Sequence, residues 1–236
     1  MKIIFLNIWQ GNYWDKLRNF IRNQSDSTNA FCFQEVSPPL FSELEKILPQ
    51  HLGVYTTENK VDSLGFVYGE AIFAENNLEV LSCGRTDLFR QMKNDMGYLQ
   101  VANVKVGSKT LFLSNVHGKA RPGTKLDTPV RLRQSRKIIN HFSRFDGPKI
   151  IGGDFNLLPQ TQSIKMFAEA GYRDLIKDFG IKCTRSQLAW KNLKKGEEKQ
   201  YFADYVFVSS DIKVMSFKVP DIEVSDHLPL ILDLEF

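Results

Sequence analysis

The amino-acid sequence predicts an α/β sandwich in which the β-sheets are covered on both faces. Three observations carry this. Short runs rich in Ile, Val and Phe recur from the first residues to the last, and helix-period segments lie between some of them. Several runs are apolar on both sides, as in "TLFLSNV" (110–116), which leaves no face for water. No internal repeat, low-complexity tract or Pro/Gly/Ser linker divides the 236 residues, and 42% of them are hydrophobic, enough for one domain, 1–236, with a large core.

Taken in order, "KIIFLNI" reads as the first strand, and "YWDKLRNFIRNQ" as a helix with Leu17, Phe20 and Ile21 on one face. "AFCFQEV" is the next strand. "PPLFSELEKIL" is a helix opening on prolines, which a first turn tolerates. "EAIFA", "LEVLSCG", "YLQVANVKV" and "KTLFLSNVHG" follow as strands, then the long basic helix "PVRLRQSRKIINHF". "PKIIGGD" is a strand, "QSIKMFAEAG" a helix ending on Gly171, and "ADYVFVS", "IKVMSFKV" and "LPLILDLEF" are the closing strands.

Composition excludes several classes. The 31 basic and 27 acidic residues leave +4, which permits a polyanionic substrate without demanding one. Cys32, Cys83 and Cys183 are odd in number and far apart, with no CxxC spacing, so they suggest neither a disulfide framework nor a zinc site; they read as small core residues in a reducing compartment. "MKIIFLNIW" lacks the long apolar region and cleavage site of a signal peptide, and no run approaches the ~20 residues of a membrane span, so a cytoplasmic chain is expected.

Polar residues gather at the ends of the predicted strands. Asn7 closes "KIIFLN", Gln34 and Glu35 close "AFCFQE", and Asn115 and His117 close "TLFLSNVH". Asp154 and Asn156 follow "KIIGG", Asp204 opens "DYVFVS", and Asp226 and His227 precede "LPLILDL". On an extended chain Asp154 and Asn156 face the same way. Any one of these is an ordinary turn or capping residue. Together they are carboxylates, amides and imidazoles at successive strand ends, which turn chemistry does not require.

The set "LNIW", "FQEV", "NVHG", "GGDFN", "DYVFVS" and "SDHLPL", in that order, resembles the endonuclease/exonuclease/phosphatase superfamily of deoxyribonuclease-I-like phosphoesterases. The resemblance implies a four-layered sandwich, two packed mixed sheets flanked by helices, and a Mg²⁺- or Mn²⁺-dependent hydrolase of phosphodiester bonds. The leading substrate it implies is DNA or RNA; the alternative is a small phosphoester such as an inositol phosphate, a phospholipid headgroup or a nucleotide. Oxygen ligands suit such a hard cation. The resemblance makes Glu35 the primary metal ligand, with Asn7 beside it and Asp226 completing the site. Asp154 orients or deprotonates the attacking water, and Asn156 hydrogen-bonds the phosphoryl group. Asp204 fixes the tautomer of His227. His117 is similar to the second histidine of the nuclease branch, with Glu70 in "VYGEAIFA" as its partner and Tyr68 on the same side; an exposed strand residue is the other reading of Glu70. No protein partner is expected. A non-catalytic binding module is the competing class, but none of the metal or proton-transfer groups is missing.

Between the strands the resemblance thins. Lys119, Arg121, Lys125, Arg131 and Arg133 after His117 form either a basic wall or a solvated face. Thr184 and Arg185 in "CTRSQLAW" fall where relatives contact substrate, and Arg185 suits a phosphate contact. Lys191, Lys194, Lys195 and Lys199 are expected on a mobile hairpin tip. Lys93 and Asn94 stand where the nuclease branch often has an arginine, and the wording around His117 fits neither the abasic-site nor the tyrosyl-adduct branch. Trp9, Trp14 and Trp190 read as anchored in or beside the core.

Overall fold

A computed structural model of the chain describes residues 1–61, 67–92, 95–191, 193 and 196–235. In chain order the elements begin with β1 (Lys2–Asn7), α1 (Trp14–Ser25), β2 (Ala30–Val36), α2 (Pro38–Ile47), β3 (His51–Val61) and β4 (Val67–Glu75). The long hairpin β5 (Glu79–Met92) and β6 (Asp95–Val106) comes next, then β7 (Lys109–His117), α3 (Pro129–Phe142), β8 (Lys149–Asp154) and α4 (Gln162–Glu169). The short β9 (Arg173–Asp174) and α5 (Leu175–Asp178) precede β10 (Asp204–Val208), β11 (Lys213–Lys218) and β12 (Leu230–Glu235).

The strands form two six-stranded mixed sheets, β11-β12-β1-β2-β4-β3 and β5-β6-β7-β8-β10-β9. Their inner faces share one core that includes Phe5, Ile72, Val104, Leu113, Ile150 and Val206. Outside the first sheet, Leu17 and Ile21 of α1 and Leu40 and Leu44 of α2 pack on Ile4, Leu6, Phe31 and Phe33. Outside the second, Phe167 of α4 stacks on Phe207 of β10 at 4.2 Å. The result is the expected four-layered sandwich.

Register brings the polar strand ends together. β1 and β2 are parallel with Asn7 opposite Gln34, and β7 and β8 are parallel with His117 opposite Asp154. β10 runs antiparallel to β8, so Asp204 lies opposite Asp154. Between the sheets, Gln34 donates to the Asn115 side-chain oxygen, and the Asn115 amide donates to the Phe33 carbonyl at 2.9 Å. Gly152 lets the sheets approach here, since a Cβ would stand 2.5 Å from the Phe5 ring.

Some local expectations change. β3 was not expected, because "HLGVYTTENKV" has little apolar alternation; it is an edge strand, where burial on both faces is not required. Only Cys32 is a core cysteine: Cys83 is exposed and Cys183 half-buried, and all three are free. Residues 196–203 are coil rather than one arm of a hairpin. Lys191 donates to the Tyr13 hydroxyl at 3.1 Å and Lys199 lies 4.8 Å over Trp190, while Lys194, Lys195, Lys93 and Asn94 lie outside the described residues. No described helix is long and apolar enough to cross a membrane.

Candidate active site

Glu35 sits where β2 bulges against β4, the register slipping between Gln34 and Val36. Its φ is +59°, a left-handed conformation that costs a non-glycine residue about 1–3 kcal/mol and is typical of functional sites. The bulge turns the carboxylate towards β1 and β7. There the Asn7 amide donates to Glu35 Oε1 at 3.1 Å and His117 Nε2 lies 4.0 Å from the same oxygen.

Asn7 joins the two sheets chemically. Its Nδ2 also donates to Asp154 Oδ2 at 3.2 Å, and its Oδ1 accepts from the Trp9 backbone N–H at 3.0 Å. One amide therefore holds two carboxylates from opposite sheets. Asp154, 2% exposed, accepts a second hydrogen bond on Oδ1 from the Asn156 backbone N–H at 2.8 Å. This i, i+2 bond is what brings Asp154 and Asn156 together. β8 ends at Asp154 and Asn156 has φ +54°, so the pair is set by a turn and not by strand alternation.

Asp204 and His227 form a close pair, His227 Nδ1 lying 2.8 and 2.9 Å from the two Asp204 oxygens. The imidazole's other nitrogen, Nε2, points at Asp154 Oδ2 at 3.6 Å. Arg185 closes this side. Its Nη1 is 2.6 Å from His227 Nε2, its Nη2 donates to Asp226 Oδ2 at 2.7 Å, and its backbone bridges to His227 as a single antiparallel pair.

Burial and charge set the ionisation of these groups. Burial alone would push Asp154 up, but His227, Lys125, His117 and Arg185 outweigh it and hold the carboxyl down at about 2. Burial raises Asp204, and His227 offsets only part of that. Burial and Arg185 push His227 down, yet Asp204, Asp226 and Asp154 more than compensate and leave it above its usual value. One carboxylate is kept ionised beside an imidazole disposed to carry a proton.

The remaining expected residues divide. His117 and Tyr68 are both buried, their ring centres 6.3 Å apart. Glu70 is fully buried on β4 opposite Gln34, so the exposed-strand reading fails. Thr184 is corrected: it is wholly buried, and its hydroxyl oxygen accepts the N–H groups of Ala203 and Asp204 at 3.0 and 3.2 Å. It positions the start of β10. Arg131 is corrected too, being fully buried with its guanidinium on loop carbonyls, so it is no part of a basic wall. Trp190 is half-buried and lines a cleft with Lys125 and Arg185. Lys125 was indistinguishable in sequence from the solvated lysines around it, yet it is buried and its Nζ donates to Asn156 Oδ1 at 2.7 Å.

A family model described as the Endonuclease/Exonuclease/phosphatase family matches residues 4–227, nearly the whole chain. The chain belongs to the endonuclease/exonuclease/phosphatase family. No curated protein matches it by sequence. Among solved structures, a mannosyl-6-phosphatase from Bacteroides thetaiotaomicron is 16% identical, with TM-score 0.80 and each chain covered completely. The catalytic domain of human nocturnin, with a bound sulfate anion, is 20% identical over 100% of this chain and 93% of that one, with TM-score 0.77. TDP2 from D. rerio, in complex with a single-strand DNA product, is 17% identical over 100% and 99%, with TM-score 0.78. At these identities the likenesses establish the fold. Within this endonuclease/exonuclease/phosphatase scaffold, Asp154, Asp204 and His227 offer ligand atoms within 4.8 Å of one another, a spacing that can hold a metal ion.

Proposed function

We propose that this member of the family is a Mg²⁺-dependent phosphoesterase that hydrolyses phosphodiester bonds, with DNA or RNA as the leading substrate class. The observation that carries the reading is the joining of Glu35, Asn7, Asp154 and His227 across the seam of the two sheets. It couples an oxygen-rich cation site to an imidazole that can handle a proton.

The donor set fits a hard divalent cation, because Glu35, Asp154 and Asp226 supply carboxylate oxygens. We place the ion on the Glu35 side, with Asn7 orienting the carboxylate and Asp226 supporting it. His227 Nδ1 is engaged by both Asp204 oxygens, so that pair acts better as a proton relay than as a ligand set. When bound, the ion neutralises phosphoryl charge. The chain's residues do the rest. Asp154, ionised and fixed by two hydrogen bonds, holds a water and accepts its proton. Asn156 presents its amide to the phosphoryl group, and Arg185 balances negative charge beside His227. His227, held by Asp204, and His117 stand ready to hydrogen-bond a non-bridging oxygen or return a proton to the leaving oxygen.

A small phosphoester is the second reading, favoured by a cleft beside the site whose lining includes Glu197 and Glu198, carboxylates that repel a second phosphate. A substrate panel tests both. Purified protein with Mg²⁺ or Mn²⁺ is assayed on single- and double-stranded DNA, RNA, abasic DNA, inositol phosphates and lipid headgroups. Turnover that EDTA abolishes is expected. No turnover on any member with either metal would leave a binding module as the better reading.

A further inference from the structure

Lys125 is unusual for a lysine on a loop. It is 8% exposed, and its ammonium points into the site, not to solvent. Its backbone is left-handed, with φ +55°, and its carbonyl accepts the Leu158 N–H at 2.9 Å. The loop around it is built on Arg131. That guanidinium donates to the carbonyls of Lys119, Ala120, Pro122 and Leu126 at 2.7–3.1 Å. A buried guanidinium spent on four carbonyls of one loop is a costly way to hold a turn, and it fixes the direction in which Lys125 leaves it.

The cation has like-charged company. Burial lowers the Lys125 ammonium below the usual lysine value; Asp154 opposes this and Arg185 adds to it. Lys125 and Arg185 line the same cleft, of about 430 Å³, within the range of small-molecule sites. Two cations on one cleft, Arg185 already held by Asp226 and Lys125 by the neutral Asn156 amide, leave room for an anion to balance the buried lysine. The rest of the lining differs in chemistry: Trp190 supplies an aromatic face, and Glu198 and Gln200 supply acceptors. Gln200 also donates to the Gly123 carbonyl at 2.7 Å, tying this wall to the Lys125 loop.

We propose that Lys125, with Arg185, binds the phosphoryl group of the substrate, and that the cleft bounded by Trp190 and Glu198 receives the alcohol part of the ester, a neutral hydroxyl-bearing group of monosaccharide size. Hydroxyls satisfy the Glu198 carboxylate and the Gln200 amide, and a C–H face packs on the indole. A nucleic acid fits worse. Its next phosphate meets the carboxylates, and a base stacking on the side of Trp190 that Lys199 covers at 4.8 Å must displace that lysine. The proposal rests on the reading of the chain as a phosphoesterase and, within that reading, takes the small phosphoester over nucleic acid.

The test is calorimetric titration of the full chain in Mg²⁺ buffer with inorganic phosphate, glucose 6-phosphate and a short single-stranded oligonucleotide. Native protein, Lys125→Met, Lys125→Arg and Trp190→Ala are compared, each checked for a native unfolding midpoint. Lys125→Met is expected to weaken inorganic phosphate about tenfold or more, with Lys125→Arg recovering part of it. Trp190→Ala is expected to weaken glucose 6-phosphate about fivefold more than inorganic phosphate. Phosphate affinity unchanged in Lys125→Met overturns the lysine's role. Should that variant fail to fold, equal weakening of both small probes in Trp190→Ala, or weakening of the oligonucleotide alone, still overturns the cleft. Native protein that binds none of the probes overturns both. Unchanged affinities in variants of a hydrolytically active protein sink only this inference, whereas probe binding without any hydrolysis sinks the phosphoesterase reading.

Discussion

Asp204 and His227 illustrate how much one contact decides. Asp204 is the strongest of the three carboxylates that hold the imidazole above its ordinary value of 6.5. In metal-free protein followed by NMR, the His227 titration midpoint should lie above 6.5, and it should fall in Asp204→Asn. Because the folded pKa is raised, the pair's stabilisation is fully present below pH 6.5 and is lost as pH rises through the folded value. The stability gap between native protein and variant should therefore narrow on the alkaline side. A midpoint unmoved by the substitution would show that Asp204 does not control the imidazole. Turnover should drop by about 10²–10⁴ in the same variant, read from kcat/KM. At this scale the sequence was legible wherever a residue type has few uses at a strand end, as with Asp154 and His227. It was illegible for Lys125 and Thr184, since a lysine among loop lysines and a threonine before an arginine carry no mark of burial.

Elements explain why the site residues meet. β8 ends in Gly152-Gly153-Asp154, and the glycines differ from those in ordinary turns. Gly153 has φ +131° and an added Cβ would stand 2.3 Å from the Val116 carbonyl oxygen, whereas Gly107, at φ +60°, has nothing within 4 Å. Gly107→Ala should cost about 1–2 kcal/mol for its left-handed backbone alone. Gly153→Ala adds a backbone collision and should cost about 3 kcal/mol or more, moving Asp154 with it. Urea unfolding of the two variants measures the difference; equal costs would mean that β7 and β8 do not need this close approach. Arg131→Met, which releases four loop carbonyls, should likewise destabilise the fold by about 2–4 kcal/mol in the same assay. Strands buried on both faces, such as β7 and β8, were readable from apolar runs. The edge strand β3 was not, because its pattern answers to solvent as much as to a core. The bulge at Glu35 was also hidden, since no residue in "FQEV" requires a left-handed backbone.

For the whole molecule, topology does the gathering. Parallel pairs β1/β2 and β7/β8, one in each sheet, bring their C-terminal ends to the seam where Asn7 spans from Glu35 to Asp154. The order of motifs along the chain implied this convergence, and the family match over residues 4–227 accounts for it. Substrate choice lies in loops, whose conformations depend on contacts that no local pattern announces. Charge supplies a separate test, because the net +4 is small. If the substrate is nucleic acid, affinity should fall steeply with added salt, by about a power of ten or more for each few phosphates engaged between low and physiological salt; a small ester should respond weakly. The central claim, a divalent-ion site on the Glu35 side with Asp154 as the base beside it, is tested most directly by titrating metal-stripped protein with Mg²⁺ while following hydrolysis of an aryl phosphodiester, in the native chain and in Asp154→Asn. Turnover that rises with Mg²⁺ in the native chain and falls about 100-fold or more in the variant, with its unfolding midpoint retained, is predicted. A variant as active as the native chain would contradict the account.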